Sequence, residues 1–123
     1  MIIKFKEDIN MNEESKKVLE EIANRLDWNV NYKKEYITLG KYSPAGQDFS
    51  IRIDKKNTLE ELAEEVWKRY KGYDVSAETY LWLGSDGHGK NGAPYDLGDI
   101  YEDRKCCKEN LKELHDELYK EIL

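Results

Sequence analysis

An apolar stripe over residues 97–122 most constrains what this chain can fold into. Its members recur at intervals of three, four and seven residues and are Ile100, Cys107, Leu111, Leu114, Leu118 and Ile122. This spacing places them on one face of a helix, because an α-helix repeats every ~3.6 residues. We therefore predict a long C-terminal helix that packs against the rest of the protein through this face.

Two earlier segments also carry a helical apolar period. Residues 12–27 and 58–72 each place apolar side chains three and four positions apart. In the second segment, Thr58 and Glu61 have the spacing of a capping box, in which each side chain bonds the other residue's backbone amide. Gly72 follows the apolar stripe and is a suitable C-cap, because glycine accepts the left-handed conformation common there.

Between these two helices the apolar period changes to two. Residues 28–33, 36–42 and 49–54 alternate apolar and polar side chains, which predicts three strands with one apolar face each. The breaks between them are short, so neighbouring strands should be antiparallel. Residues 2–6 alternate in the same way and predict a short edge strand. The pattern over residues 74–84 leaves both a short helix and a strand open.

The order of elements is strand, helix, three strands, helix, loop and helix, without a Pro- or Ser-rich linker. Strands that cluster in sequence between flanking helices favour an α+β fold. We predict one domain over residues 1–123, with an antiparallel sheet of roughly three to five strands flanked by about three helices.

The chain is acidic, with a formal net charge of −6 at pH 7. We expect no direct binding to nucleic acid, because phosphate recognition depends on basic residues. The only cysteines, Cys106 and Cys107, are adjacent, and adjacent cysteines rarely pair, which favours a reducing, cytoplasmic compartment. No apolar run approaches about 20 residues, so we expect no membrane span.

Residues 84–94 read GSDGHGKNGAP and match two phosphate-loop patterns, G-x-x-x-x-G-K and G-x-G-x-x-G. A nucleotide-hydrolysing P-loop needs Ser or Thr after its lysine to hold magnesium, and this chain has Asn91 there. Its helix must also start at the lysine, which Gly92 and Pro94 disfavour. A dinucleotide fold needs a further parallel strand, and the residues after Gly92 are nearly all predicted to be helical.

Two interpretations of this loop stay open. It could be an ordinary turn, since SDG and NG are strong turn formers. It could also bind an anion through backbone amides of Gly89 and its neighbours, with His88, Lys90 and Asn91 adding donors. In that case Trp82, just before the loop, would offer a ring on which a base can stack.

Further ligand contacts are predicted on either side of the loop. Tyr42, Ser43 and Gln47 stand at the end of a predicted hairpin, where polar side chains can reach a ligand. Arg104 and Lys108 are four residues apart on the last helix and share a face, so they could receive a phosphate. The alternatives are a plain hairpin end, and cations that pair with neighbouring acidic residues.

A zinc site could be imagined at Cys106, Cys107, His88 and His115, and a Cys–His pair could act in nucleophilic catalysis. Adjacent cysteines lack the spacer of structural zinc sites, and Cys107 falls on the apolar stripe, where packing explains it. No spacing places a base beside either thiol. We predict no metal, no cofactor and no catalytic residue, while an enzyme that uses His88 or His115 stays as an alternative.

Two stretches of the sequence carry a family resemblance. They are YSPAGQDF at residues 42–49 and YLWLGSDGHGKNGAPYDLGDIYED at residues 80–103. From Tyr42 to the C-terminus the chain resembles small acidic proteins of phages, prophages and mobile elements of Firmicutes. Among these it is similar to the phage Thoeris anti-defence family of signal sponges. Members of that family sequester signals of the cyclic ADP-ribose type in pockets at subunit interfaces and do not degrade them.

The resemblance implies a phage protein in the cytoplasm of a bacterial host cell. It implies a homo-oligomer whose small-molecule partner is a cyclic nucleotide signal, bound without catalysis. The family places an aromatic side chain, an asparagine and arginines against the base and phosphates. Trp82, Asn91 and Arg104 are of these types, and Lys108 stands where an arginine would be expected.

The acidic composition leaves a second hypothesis open. The chain could be a protein-binding inhibitor of a bacterial defence nuclease, of the anti-CRISPR or anti-restriction type, whose acidic faces imitate phosphates. This hypothesis depends on exposed acidic side chains such as Glu20, Glu64 and Asp103.

Overall fold

The computed structural model describes residues 13–54, 58–82 and 96–122, which form an α+β fold. Its helices are α1 (Glu13–Arg25), α2 (Leu59–Gly72), α3 (Val75–Trp82) and α4 (Leu97–Ile122), and its strands are β1 (Asn29–Tyr32), β2 (Tyr36–Tyr42) and β3 (Asp48–Asp54). The predicted class and the long C-terminal helix are confirmed. The edge strand predicted at residues 2–6 and the glycine loop lie outside the described residues.

The three strands form one antiparallel sheet in the order β1-β2-β3, as the short breaks predict. The register pairs Ile37 with Ile53 and Leu39 with Ile51, and all four side chains are buried on one face. The alternation along β3 also buries Phe49. Because side chains in a strand point alternately to opposite faces, this register turns one face of the sheet towards the helices.

Helix α4 packs against each of the other described helices. Its fully buried residues include Cys107, Leu111, Leu114 and Leu118, as the apolar stripe predicts. Burying a leucine side chain contributes about 1.5–3 kcal/mol, so this stripe accounts for a large share of the core. None of the helices in the described ranges has the length and apolar character needed to cross a membrane.

Helix α2 begins as predicted but ends differently. Thr58 and Glu61 form the reciprocal capping box, with donor–acceptor distances of 3.1 and 3.2 Å. The prediction of Gly72 as C-cap is wrong, because the helix includes Gly72. Tyr73 is the cap, and its backbone is extended, with φ −80° and ψ 112°. Tertiary contacts explain this end: the Tyr73 ring packs edge-on against Phe49, with ring centroids 5.7 Å apart.

The segment that the sequence left open between helix and strand is α3. Asp74 precedes it and accepts a hydrogen bond from the backbone amide of Ala77 at 3.1 Å, as a helix-capping side chain does. Only two residues, Tyr73 and Asp74, separate α2 from α3. This short connection carries Trp82, the last residue of α3, to a position beside α4.

The hairpin between β2 and β3 has the predicted turn chemistry. Gly46 adopts a left-handed φ of 81°, which side chains disfavour. Helix α1 ends two residues before the predicted boundary, because Asp27 takes a left-handed φ of 66° and the amide of Trp28 bonds the carbonyl of Ala23 at 2.7 Å. These bonds close the helix end in the manner of a Schellman motif.

Candidate functional site

A buried ion pair lies between the hairpin and α4. Arg104 is 2% exposed, and its Nη2 donates to Oδ2 of Asp103 at 2.8 Å. The other oxygen of Asp103, Oδ1, accepts from the backbone amide of Ala45 at 2.8 Å. The sequence left open whether Arg104 contacts a phosphate or pairs with a neighbouring acidic residue, and the structure shows the ion pair with Asp103. Asp103 is 6% exposed, so it cannot contribute to an acidic outer face, contrary to the inhibitor hypothesis.

The Arg104 guanidinium lies between two aromatic rings. Its Cζ is 4.8 Å from the ring centroid of Trp82 and 6.0 Å from that of Phe49. A cation over an aromatic face is attracted by the ring quadrupole, most strongly where water is excluded. Burial alone would lower the pKa of Arg104, but the hydrogen bond to Asp103 and nearby ionisable groups outweigh it, so the pKa is raised. Arg104 is therefore a permanent cation.

A cavity of about 440 Å³ opens beside this guanidinium. Its walls come from β3, the C-terminal end of α2, Tyr73, α3 and α4. They include three basic residues (Lys68, Arg69 and Arg104), the acidic residues Asp48 and Glu78, and the aromatic residues Phe49, Tyr73 and Trp82. The volume falls within the range of small-molecule pockets, roughly 300–1,000 Å³.

Two polar groups in the walls of this cavity have no hydrogen-bond partner among the described residues. They are Nε of Arg104 and the hydroxyl of Tyr73, and both are buried. Such a group destabilises a protein by about 1–3 kcal/mol. Burial raises the pKa of Tyr73 to about 12, although the charge of Arg104 and a weak interaction with its side chain, too poor in geometry to satisfy either group, oppose the shift. At neutral pH both groups are thus hydrogen-bond donors that an acceptor on a ligand could satisfy.

Lys108, which the sequence placed with Arg104, has a different environment. Its Nζ donates to the backbone carbonyl of Tyr73 at 2.9 Å and lies 5.2 Å from the ring centroid of Tyr70. It does not belong to the described lining of the cavity. Lys108 holds the extended residue that ends α2, and through it the position of the Tyr73 ring.

The predicted hairpin contacts Tyr42, Ser43 and Gln47 do not belong to the described lining of the cavity either. The hydroxyl of Ser43 accepts from the backbone amide of Gln47 at 3.1 Å, and the Ser43 amide donates to the Gln47 carbonyl at 2.8 Å. Ser43 is buried by this turn, whereas Tyr42 is 69% exposed. The structure accounts for Ser43 as part of a hairpin end, and Ala45 between them connects the turn to Asp103.

Four predicted contacts lie outside the described residues, namely His88, Gly89, Lys90 and Asn91. They belong to the segment between α3 and α4. Of the cysteines, Cys107 is fully buried, and burial raises the pKa of its thiol to about 11. Over residues 13–54, 58–82 and 96–122, no cluster of three or more His, Cys, Asp or Glu side chains could hold a metal ion.

The structure thus brings together Trp82 and Arg104, which the sequence analysis selected, with Tyr73 and Phe49, which it did not. The alternation along β3 could have placed Phe49 on the buried face. No sequence signal marks Tyr73, since its position depends on how α2 ends. Comparison of the chain with models of protein families, with curated proteins and with solved structures found no match in any of the three.

Proposed function

We propose that this chain is a binding protein that holds a nucleotide-type ligand, an aromatic base joined to an anionic group, without altering it chemically. One observation carries this proposal. A cavity of about 440 Å³ combines an indole ring, a buried cation and two buried donors that lack partners among the described residues. These are the groups that stacking and anion recognition require.

The arrangement assigns a role to each part of the ligand. The base stacks against Trp82, and a phosphate oxygen accepts hydrogen bonds from Arg104 and Tyr73. The carboxylates of Asp48 and Glu78, also in the walls, accept from ribose hydroxyls. Because these carboxylates repel additional negative charge, the site favours a compact ligand of low charge over a nucleoside triphosphate.

The ligand class that best meets these conditions is a cyclic nucleotide of the cyclic ADP-ribose type. It carries a base, ribose hydroxyls and only two phosphates. Sequestration of such a signal by a phage protein, in a homo-oligomer within the bacterial host cytoplasm, is the role that the sequence resemblance implies. The glycine loop, residues 84–94, begins two positions after Trp82 in the chain, and the proposal includes hydrogen bonds from its residues His88, Lys90 and Asn91 to the same ligand.

The protonation states of the groups assigned to the phosphate support binding without proton transfer from these groups. A general acid or base works best with a pKa near the operating pH. The pKa of Tyr73 is about 12, and Arg104 stays charged. Neither group exchanges a proton near pH 7, so both serve to hold an anion.

The test is calorimetric titration of the purified protein with cyclic ADP-ribose and its linkage isomers, followed by heating and analysis of the released ligand. We expect a dissociation constant on the order of 1 µM or below, and full recovery of intact ligand. Trp82→Leu should weaken binding by about tenfold or more, because stacking of a base contributes about 1–3 kcal/mol. Absence of heat with every isomer would contradict binding, and loss of ligand with sub-stoichiometric protein would indicate an enzyme.

Helix α3 supplies a matched control. Tyr80 is an aromatic residue on the same helix but is 64% exposed and lies outside the described cavity lining. Tyr80→Leu should leave the affinity within about twofold of the unchanged protein. An equal loss of affinity in Tyr80→Leu and Trp82→Leu would show that the effect comes from α3 as a whole and would count against the proposed site.

A further inference from the structure

A second concave surface lies between α2 and α4, at the other end of the helix pair. The N-terminal half of α2 meets the C-terminal end of α4 there, whereas Lys108 of α4 bonds Tyr73 at the C-terminal end of α2. The groove has a volume of about 610 Å³. Among the described residues, it shares no lining residue with the cavity beside Arg104.

Aromatic rings form the floor of this groove. The ring centroids of Trp67 and His115 are 4.8 Å apart, and those of His115 and Tyr119 are 5.6 Å apart in a stacked arrangement. His115 is held in place by Asp116, whose Oδ1 lies 2.9 Å from its Nδ1. Tyr119 is 49% exposed, so part of this aromatic surface is accessible from solvent. Faces of Trp and Tyr rings attract cations.

Carboxylates form the rim of the groove. Glu60 and Glu64 are one helical turn apart on α2 and both are exposed. Like charges at this spacing repel each other. Neither carboxylate has a hydrogen-bond or ion-pair partner within the described parts of the chain, and the described lining contains no lysine or arginine.

Three lysines near the groove, among the residues that the structure describes, do not neutralise this rim. Each is bonded to another acid: Lys68 to Glu65 at 3.3 Å, Lys112 to Asp116 at 2.8 Å and Lys120 to Glu117 at 2.9 Å. Glu65, Asp116 and Glu117 are thus paired with these lysines, whereas Glu60 and Glu64 in the lining of the groove are not. The groove therefore combines unpaired negative charge with a surface that attracts cations.

We propose that this groove binds an arginine side chain of a partner polypeptide. The guanidinium stacks on the aromatic floor formed by Trp67, His115 and Tyr119 and bonds the carboxylates of Glu60 and Glu64. Arginine fits better than lysine, because its planar guanidinium both stacks on rings and bonds carboxylates through parallel hydrogen bonds. The same carboxylates repel nucleic acid and other anions, so the occupant is a basic protein segment.

The test uses a five-residue peptide, acetyl-Gly-Gly-Arg-Gly-Gly-amide, and the same peptide with citrulline in place of arginine. Citrulline has nearly the same shape but no charge. Nuclear magnetic resonance titration of the full chain should show saturable shifts of the Trp67 indole N–H with a dissociation constant on the order of 1 mM. The citrulline peptide should bind at least about fivefold more weakly. The absence of saturable shifts, or equal binding of both peptides, would overturn the proposal.

A pair of double variants separates local from long-range charge. Glu60→Gln with Glu64→Gln removes the rim charges, and Glu14→Gln with Glu109→Gln removes two exposed charges elsewhere. The Glu60/Glu64 double variant should bind the arginine peptide about fivefold more weakly than the unchanged protein does. The Glu14/Glu109 double variant should bind it less than about twofold more weakly. Equal weakening by both pairs would mean that net charge alone attracts the peptide, and the proposed site would be wrong. An unshifted Trp28 indole resonance confirms that each variant keeps the native core.

Discussion

The cavity at the C-terminal end of α2 and the groove at its N-terminal end are built on the same two helices, yet they offer a ligand opposite charge. The cavity centres on Arg104 beside the ring of Trp82. The groove is lined by Glu60 and Glu64 together with Trp67. The net charge of −6 therefore does not describe the cavity, whose walls include three basic and two acidic residues, whereas the described lining of the groove contains no lysine or arginine.

The two regions also differ in how firmly their charges are held. Arg104 is buried and bonded to Asp103, whose second oxygen is fixed by the hairpin. Glu60 and Glu64 are exposed. A charge in a buried site acts through a low dielectric and resists screening, whereas an exposed charge is weakened by water and salt. We expect tight, selective binding in the cavity and weak, salt-sensitive binding in the groove.

The largest expected effect concerns the ion pair of the cavity. Arg104→Met leaves Asp103 buried without its cation and should lower the free energy of unfolding by about 3–5 kcal/mol. Adding Asp103→Asn removes the stranded charge and retains an acceptor for the amide of Ala45, so the double variant should recover much of that loss. Urea unfolding measures both. A single variant within about 1 kcal/mol of the unchanged protein would show that the pair is not a fixed part of the core.

The next effect separates stability from binding at Tyr73. Its hydroxyl has no hydrogen-bond partner among the described residues, so Tyr73→Phe removes a buried, unsatisfied group. The free energy of unfolding should rise by about 1 kcal/mol, while affinity for the cyclic nucleotide falls by about threefold to tenfold. Urea unfolding and calorimetry on the same sample measure the two quantities. A fall in stability would indicate that the hydroxyl is satisfied in solution.

Ionic strength provides a direct contrast between the two regions. Raising salt from about 0.05 to 0.5 M should weaken binding of the arginine peptide to the exposed groove by about threefold or more. Binding in the cavity should change less, because its cation is buried beside Trp82. Parallel titrations at both salt concentrations test this. The opposite ranking would mean that the contrast in burial does not govern the two sites.

The smallest expected effect is a pH dependence at the groove. Hydrogen bonds from Lys112 and His115 hold the pKa of Asp116 below its usual value of about 3.9. A depressed pKa contributes stability that is present above the ordinary value and is lost as pH falls through the folded value. Asp116→Asn should therefore reduce the acid-induced loss of stability below about pH 4, by no more than about 0.5 kcal/mol, since the carboxylate is largely exposed. Thermal unfolding of Asp116→Asn and of the unchanged protein at pH 3 and pH 6 measures how much stability each loses in acid.

Much of the fold could be predicted from the sequence because its signals are local and periodic. The bounds of α4 follow from an apolar stripe that repeats over about six turns, and the start of α2 follows from a capping box. The end of α2 could not be predicted, because the contact between Tyr73 and Phe49 joins residues far apart in sequence. Helix α3 was ambiguous, since Thr79 is its only buried residue and no apolar stripe marks it.

The candidate site was only partly predictable for the same reason. Residue type alone selected Trp82 and Arg104, and the structure places them in contact. The burial of Asp103 was missed, because acidic residues near a helix start are usually solvated and only the hairpin amide explains this one. The groove was missed entirely: Trp67 and His115 lie 48 positions apart, and only the packing of α2 on α4 brings their rings together.

The most direct test of the central claim is a two-dimensional nuclear magnetic resonance titration with cyclic ADP-ribose isomers that observes side-chain N–H groups. The three tryptophan indoles and the Nε–H of Arg104 report on both regions in one spectrum. We predict saturable shifts of the Trp82 indole and of Arg104 Nε–H, with the Trp67 indole unchanged. Shifts confined to Trp67, or no shift at Trp82 and Arg104 with any isomer, would contradict a ligand site in the cavity.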